Sequence, residues 1–333
     1  MATTGQPSTF SELYTELLNA VREATTVTAT TTIAKRYINR ALHDMHIDSE
    51  FPWATRTATL LLHATYTTGT VTVTQGSTTW TGASTLWNTA NSFAQNNART
   101  TGKLTIAGTD IYTISAVGSD TSITANERFV AESVAASTYT YYEDEYALAS
   151  DFWQPVDKRQ FTDALAIELI GPREFYRRYP RNSTLGTPKV ATLIDLGPSG
   201  STARRPRIVF HPVPSAAMLI PYRYLTTNLA VTSAGVGAEN LDGDTDEPIV
   251  PLRYRHAIVL HALAFWYRDR KDDTRSQEAK GEYQDLLRRI RQDTQPSDDR
   301  PRLIPRTSRY KQIPRVSGHR RYDIDGSFDR MEY

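Results

Sequence analysis

Gly69-Thr70-Val71-Thr72-Val73-Thr74-Gln75-Gly76 is the stretch on which the reading of the fold turns. Its unbroken run of β-branched residues restricts χ1 in a helix and suits a pleated strand, and the glycines at both ends punctuate it. Moving outward, residues 55–146 are rich in Thr, Ser, Gly and Asn and poor in Lys and Glu. Lys103-Leu104-Thr105-Ile106, a turn at Ala107-Gly108-Thr109-Asp110, and Ile111-Tyr112-Thr113-Ile114 read as a β-hairpin. Turn signals recur at Gly69, Gly76, Gly82, Gly102, Gly108 and Gly118, a spacing that predicts a small sandwich or barrel.

On either side the period changes to that of helices. Phe10, Leu13, Tyr14, Leu17, Leu18 and Val21 fall on one helical face, with Thr9 and Glu12 in the positions of a capping box. After the Thr-rich link 25–32, Ile33, Tyr37, Ile38, Ala41, Leu42 and Met45 predict a second helix and hence a hairpin. Beyond Asp151, the apolar residues Phe161, Leu165, Ile167, Leu169 and Ile170 predict a helix that stops at Gly171-Pro172, with a short segment from Glu174 to Tyr179. Arg207 to His211 and Ala217 to Tyr224 read as a two-stranded ribbon. An acidic loop, Asp242 to Glu247, precedes Pro251 and an apolar helix bearing Tyr254, Ile258, Leu260, His261, Leu263 and Phe265; Thr274 is placed to cap a last helix, Arg275 to Asp293.

The expected fold class is therefore α+β: a helical bundle body with an inserted all-β, sandwich- or barrel-like domain, a short β-ribbon and an extended C-terminal arm. The expected domains are an N-terminal helical hairpin at 1–54, the β-domain at 55–146, the rest of the helical body at 147–295 with the ribbon near 207–224, and the arm at 296–333. That arm is punctuated by Pro296, Pro301, Pro305 and Pro314. Eight Arg or Lys residues and no acid lie between Arg300 and Arg321. A segment this basic and this poor in apolar residues has no core of its own and orders by docking on a partner.

Composition limits the function classes. Net charge is only +1, so any surface attracting nucleic acid is local. Cysteine is absent, which removes disulfides, thiolate nucleophiles and Cys-based zinc sites and fits assembly in a reducing bacterial cytoplasm. The polar stretch Met1 to Ser11 does not read as a signal peptide, and no apolar run reaches the ~20 residues a membrane span needs. No Walker loop, Rossmann fingerprint or G-x-S-x-G elbow occurs.

Several pieces, in order, resemble bacteriophage head-to-tail adaptor proteins of the neck. Ala34-Lys35-Arg36-Tyr37-Ile38-Asn39-Arg40-Ala41 followed by Phe51-Pro52-Trp53 is similar to their opening helix and aromatic knot. Gly69 to Gly76 with Trp80-Thr81-Gly82 and Trp87 resembles a β-module inserted in phage neck and tail proteins, and Tyr146 to Phe152 its exit, with Ala149 where proline is usual. Phe210-His211-Pro212-Val213-Pro214 resembles their ribbon, and Tyr254-Arg255-His256-Ala257-Ile258 through Asp273 their closing helix pair. The resemblance covers roughly residues 10 to 295 and excludes the arm. It implies a non-enzymatic virion protein at the head–tail junction that forms a ring of about twelve copies below the portal. Such a ring extends the DNA channel and offers the tail a platform. Its partners would be further copies of itself, the portal, a tail or nozzle protein, and the DNA passing through, with no membrane and no cofactor.

Arg300, Arg302, Leu303, Ile304, Arg306, Arg309, Tyr310, Ile313 and Arg315 are the candidate docking residues of the arm, since aliphatic anchors interleaved with arginine suit a protein groove better than phosphate. Arg173, Arg177, Arg178 and Arg181, with Arg204, Arg205 and Arg207, are candidates for contact with channel DNA or with acids on a neighbouring subunit. Other constellations favour blander readings. Asp242, Asp244, Asp246 and Glu247 lack the Gly and Glu that an EF-hand places sixth and twelfth, where Glu247 and Arg253 stand. His43, His46 and His63 lack a convincing third ligand for zinc. Glu143-Asp144-Glu145 could offer paired carboxylates to a glycosidase but has no evident apolar pocket, and Trp80 and Trp87 read as core. Two rival functions remain: a carbohydrate-binding neck or tail protein, predicting glycan binding, and a nucleic-acid-binding protein using the arm, predicting salt-dependent DNA binding. Both leave the helical part of the chain unexplained.

Overall fold

A computed structural model describes residues 6–100, 102–107, 109–162, 165–196, 205–294, 320–322 and 328–330. The chain divides into two units, Met1–Trp53 with Leu241–Tyr333, and Ala54–Asn240. Content is mixed α and β.

In the first unit, α1 (Phe10–Ala20), α2 (Thr28–Asp48), α4 (His256–Asp269) and α5 (Asp273–Thr294) pack on one another. α1 begins with the expected capping box, Thr9 Oγ1 accepting from Glu12 N and the Glu12 carboxylate from Thr9 N. It buries Phe10, Leu13, Tyr14, Leu17 and Leu18. α2 starts inside the Thr-rich link, because Thr31 and Thr32 return their hydroxyls to the Val27 and Thr28 carbonyls four residues back. Tyr37 on α2 meets Phe265 and Trp266 of α4 at 6.2 and 6.1 Å between centroids. α4 is buried nearly all round, but Leu260, His261 and Leu263 are half-buried. The cap of α5 is Asp272 and not Thr274: its Oδ1 accepts from Arg275 N at 3.2 Å. Arg255 is almost fully enclosed and clasps the chain entry, donating to the carbonyls of Ser8, Val250 and Pro248 and to Glu247.

In the second unit, β2 (Thr70–Val73), β3 (Thr79–Ala83), β4 (Lys103–Thr105), β5 (Ile111–Ser119), β6 (Ser122–Ala125), β7 (Val134–Ser137) and β8 (Thr140–Tyr142) form an antiparallel seven-stranded sheet in the order β7-β2-β3-β6-β5-β4-β8. The sheet curls into a half-barrel. Trp80 and Trp87 lie fully inside it, as their setting among Gly and Thr predicts. Trp80 packs on Tyr112 and Phe129; Trp87 Nε1 donates to Tyr139 Oη at 2.9 Å, which donates on to Thr68 O. Gly69, at φ +85°, lets the chain pass over Ala83 and Ser84 where any Cβ would collide with backbone. Truncating either tryptophan to alanine costs about 3–5 kcal/mol.

The break in composition does not coincide with the ends of this sheet. β1 (Thr55–Leu62) pairs along its whole length with Met218–Thr226, which on its other side holds β10 (Phe152–Pro155). β9 (Glu145–Ala147) pairs with Arg205–His211, itself paired with Val190–Leu196. Arg207–His211 and Ala217–Tyr224 are therefore not partners in a ribbon; each pairs with strands far away in sequence. Nor is 161–170 helical in its described residues. Phe161 N donates to Ile167 O and Leu169 N to Arg159 O, Glu168–Leu169 runs beside Val190–Ala191, and Phe161 and Ile167 enter a core with Phe210 and Tyr222. The apolar residues 165, 167 and 169 alternate, and that period, not the helical one, prevails. α3 (Pro172–Arg178) is the helix described in this unit, with Pro172 at its first position.

Within the arm, Arg320–Tyr322 pairs antiparallel with Phe328–Arg330. The candidate docking residues Arg300, Arg302, Leu303, Ile304, Arg306, Arg309, Tyr310, Ile313 and Arg315 lie outside the described residues, as does Arg204.

Candidate functional site

The arginines that sequence grouped together have different fates. Arg178 pairs with Glu174 at 2.5 Å, Arg181 with Asp110, and Arg207, half-buried, with Glu145 at 3.1 Å. Arg205 begins the strand Arg205–His211. Arg173 and Arg177, one turn apart on α3, are exposed and have no ion pair among the described residues. Tyr176, 48% exposed, lies beside them in sequence. Their guanidinium groups are exposed donors, and a guanidinium can donate to a carboxylate or to a phosphate oxygen.

A polar relay fixes the position of α3. Asn182 is buried and donates to Phe210 O at 2.7 Å and to Asp144 Oδ2 at 3.2 Å, while its Oδ1 meets His211 Nδ1 at 2.8 Å. The His211 ring stacks on Tyr179, at the end of α3, with centroids 3.6 Å apart. Burial holds the His211 pKa below its ordinary value, so the ring stays neutral in this stack. Asp144 Oδ2 also takes Lys103 Nζ of β4 at 2.6 Å. Half-barrel and α3 are thus tied through one carboxylate. Lys103, Asp144, Glu145, Tyr176, Tyr179 and Arg181 line a cleft of about 370 Å³ at this place.

The acidic triplet proves structural in a way composition did not reveal. Glu143 and Asp144 are 3% and 1% exposed. Glu143 Oε1 receives Arg99 Nε at 2.8 Å, Arg99 Nη2 at 2.5 Å and the Tyr141 hydroxyl. With Lys103 on Asp144 and Arg207 on Glu145, three consecutive acids each hold a cation from a different segment. Their charge is spent on joining the half-barrel to the strands that follow.

In the first unit the acidic loop serves α1. Asp246 and Asp244 accept Phe10 N and Ser11 N on their carbonyls, the buried Asp246 carboxylate binds the amides of Asp242 and Gly243, and Asp244 pairs with Lys35 at 2.6 Å, which holds its pKa down. His46 Nδ1 donates to Leu42 O at 2.8 Å and Nε2 accepts from Trp53 Nε1 at 3.1 Å. Burial pushes its pKa to about 4. His261 stacks on Tyr283 with centroids 4.1 Å apart and lies 3.6 Å from Asp44.

The family model described as SU10 adaptor protein matches residues 120–306, more than half of the chain. The match begins inside the half-barrel and takes in the acidic triplet, α3, α4, α5 and the first residues of the arm. No curated protein matches the chain.

Proposed function

The chain belongs to the SU10 adaptor protein family, and on that premise we propose that it is a structural head-to-tail adaptor subunit of a tailed bacteriophage, forming a homo-oligomeric ring of about twelve copies beneath the portal. Family membership implies contact with other virion components such as portal and tail, and oligomerisation. In the proposed ring the subunits extend the DNA channel, present a platform to the tail or nozzle protein, and send the basic arm to the portal. The half-barrel stands on the periphery.

The observation that carries the reading is the family match across the segment holding α3 and the start of the arm. The physical chemistry agrees with it. Arg173 and Arg177 are exposed and unpaired among the described residues, as surfaces destined for another subunit's carboxylates or for passing phosphates should be. The proposal gives the chain no catalytic step. Its test is a phage whose copy of this gene carries an early stop codon. DNA-filled heads without tails should accumulate, and the intact gene supplied in trans should restore infectivity. Tailed, infectious particles from the mutant would contradict the proposal.

A further inference from the structure

We propose that the second unit carries a binding site for a neutral saccharide ring, in the cleft where the 86–98 loop meets His63. The cleft, about 230 Å³, is lined by His63, Tyr66, Asn91, Ser92, Phe93 and Asn97, with Arg99 at its side. It is smaller than the ~300 Å³ at which drug-sized ligand sites begin, which suits one ring and not a peptide.

The loop is built as a rigid wall. Within it Leu86 and Ala94, and just before it Ser84, hold left-handed backbone conformations without being glycine. Asn91 Oδ1 takes the amides of Phe93 and Gln95, Asn96 Nδ2 donates to Asn88, and Asn97 Nδ2 donates to Leu86 O at 2.9 Å. Such conformations persist where surrounding contacts over-determine them, and they cluster at ligand sites. The loop's reward is Phe93, which it holds 45% exposed. An aromatic face in water beside a cleft is a platform for the C–H face of a sugar ring.

His63 is the second element. It is 9% exposed, its Nδ1 is buried without a partner, and no ring nitrogen hydrogen bond is found among the described residues. Burial, with the Arg99 guanidinium nearby, pushes its pKa down to about 4, so at neutral pH the ring is uncharged; Nδ1 is closed to solvent, and Nε2 is the nitrogen left to give or take one hydrogen bond, according to the tautomer. A neutral imidazole nitrogen suits a hydroxyl group, which both gives and takes. Asn91 Nδ2 and Asn97 Oδ1 likewise have no hydrogen bond among the described residues, adding a donor and an acceptor. Arg99 adds no free charge, being committed to Glu143 and Gln95. A cleft with unspent hydroxyl-matching groups, an exposed aromatic ring and no uncompensated charge selects a neutral polyol over an anion.

All the lining residues come from one chain, so the test uses the purified full chain. Saturation-transfer difference NMR would be recorded with N-acetylglucosamine, glucose, galactose and rhamnose, each at about 10 mM, and with glucuronate as the charged comparator. The amino sugar reports on wall-type glycan and rhamnose on surface polysaccharide. At least one neutral sugar should show transfer with millimolar affinity. Phe93→Ala, which removes an exposed side chain and should melt like the parent, should weaken it at least about tenfold, as should His63→Phe. No transfer to any neutral sugar, undiminished binding by Phe93→Ala, or stronger binding of glucuronate would overturn the proposal.

Discussion

Replacing Glu143 should be among the most damaging single changes in the second unit, although the residue sits in a run of three acids beside which the sequence shows no evident apolar pocket. Its Oε1 collects two N–H bonds from Arg99 and the Tyr141 hydroxyl, and the carboxylate is 3% exposed. Breaking one side of a buried ion pair costs about 3–5 kcal/mol, because the remaining charge loses both its partner and its water. Glu143→Leu strands Arg99 and the Tyr141 hydroxyl together, so it belongs in that range. Glu143→Gln keeps an acceptor, and Arg99 is 23% exposed and can be partly rehydrated, which brings the cost to about 2 kcal/mol. At roughly 2–4 °C per kcal/mol for units of this size, the glutamine variant should melt about 4–8 °C lower, and the leucine variant lower still. Asp285→Asn, which removes an exposed pair with Arg288, supplies the control and should leave the melting temperature unchanged. Because an apolar replacement of both partners can be nearly neutral, Arg99→Met should recover part of the loss when combined with Glu143→Leu. Calorimetry of the purified chain at pH 7 reads all of these. A Glu143→Leu protein melting within about 2 °C of the parent would refute the account of the acidic triplet as a set of buried ties.

Other expectations are equally direct. Tyr66 and Tyr141 exchange both backbone hydrogen bonds at 2.9 Å, so the half-barrel leaves and re-enters the chain at adjacent points; replacing residues 67–140 by an Asn-Gly turn should leave a protein that still unfolds cooperatively by circular dichroism. His46 titrates at about 4 in the folded protein against 6.5 unfolded, so its contribution is full above pH 6.5 and is lost as pH falls towards 4. That loss is about 2 kcal/mol at pH 5, and thermal melts of His46→Gln should show a shallower pH slope between 7 and 5. His256 acts in the opposite sense: its pKa is raised by Glu16, so its small, half-exposed contribution fades as pH rises through that value. Arg173→Ala with Arg177→Ala should melt like the parent yet fail to complement particle assembly. Truncation after Gln295 should give a folded subunit that does not join heads to tails, which electron microscopy of lysates would report.

Local signals were legible where the decisive partners lie nearby in sequence. The Thr9–Glu12 capping box, the alternation at Thr70–Val73 and the burial of Trp80 and Trp87 follow from residues a few positions apart. What sequence could not give is long-range pairing. Residues 55–146 read as one inserted β-domain, yet the strand that opens this stretch, Thr55–Leu62, pairs with Met218–Thr226. The strands 205–211 and 218–226 look like a hairpin because they are adjacent, while each has better partners elsewhere. The acids at 143–145 illustrate the same limit in electrostatics, since a carboxylate looks solvated until Arg99, Lys103 and Arg207 are brought to it. Of the basic cluster, only geometry could separate the paired Arg178, Arg181 and Arg207 from Arg173 and Arg177.

The most direct measurement of the proposed role is imaging of the neck in intact particles by electron cryomicroscopy, with symmetry determined from the images. The account predicts a closed ring of this chain between the portal and the tail, with α3 at a contact surface and the half-barrel on the outside. Finding the chain elsewhere in the particle, or absent from it, would contradict the account.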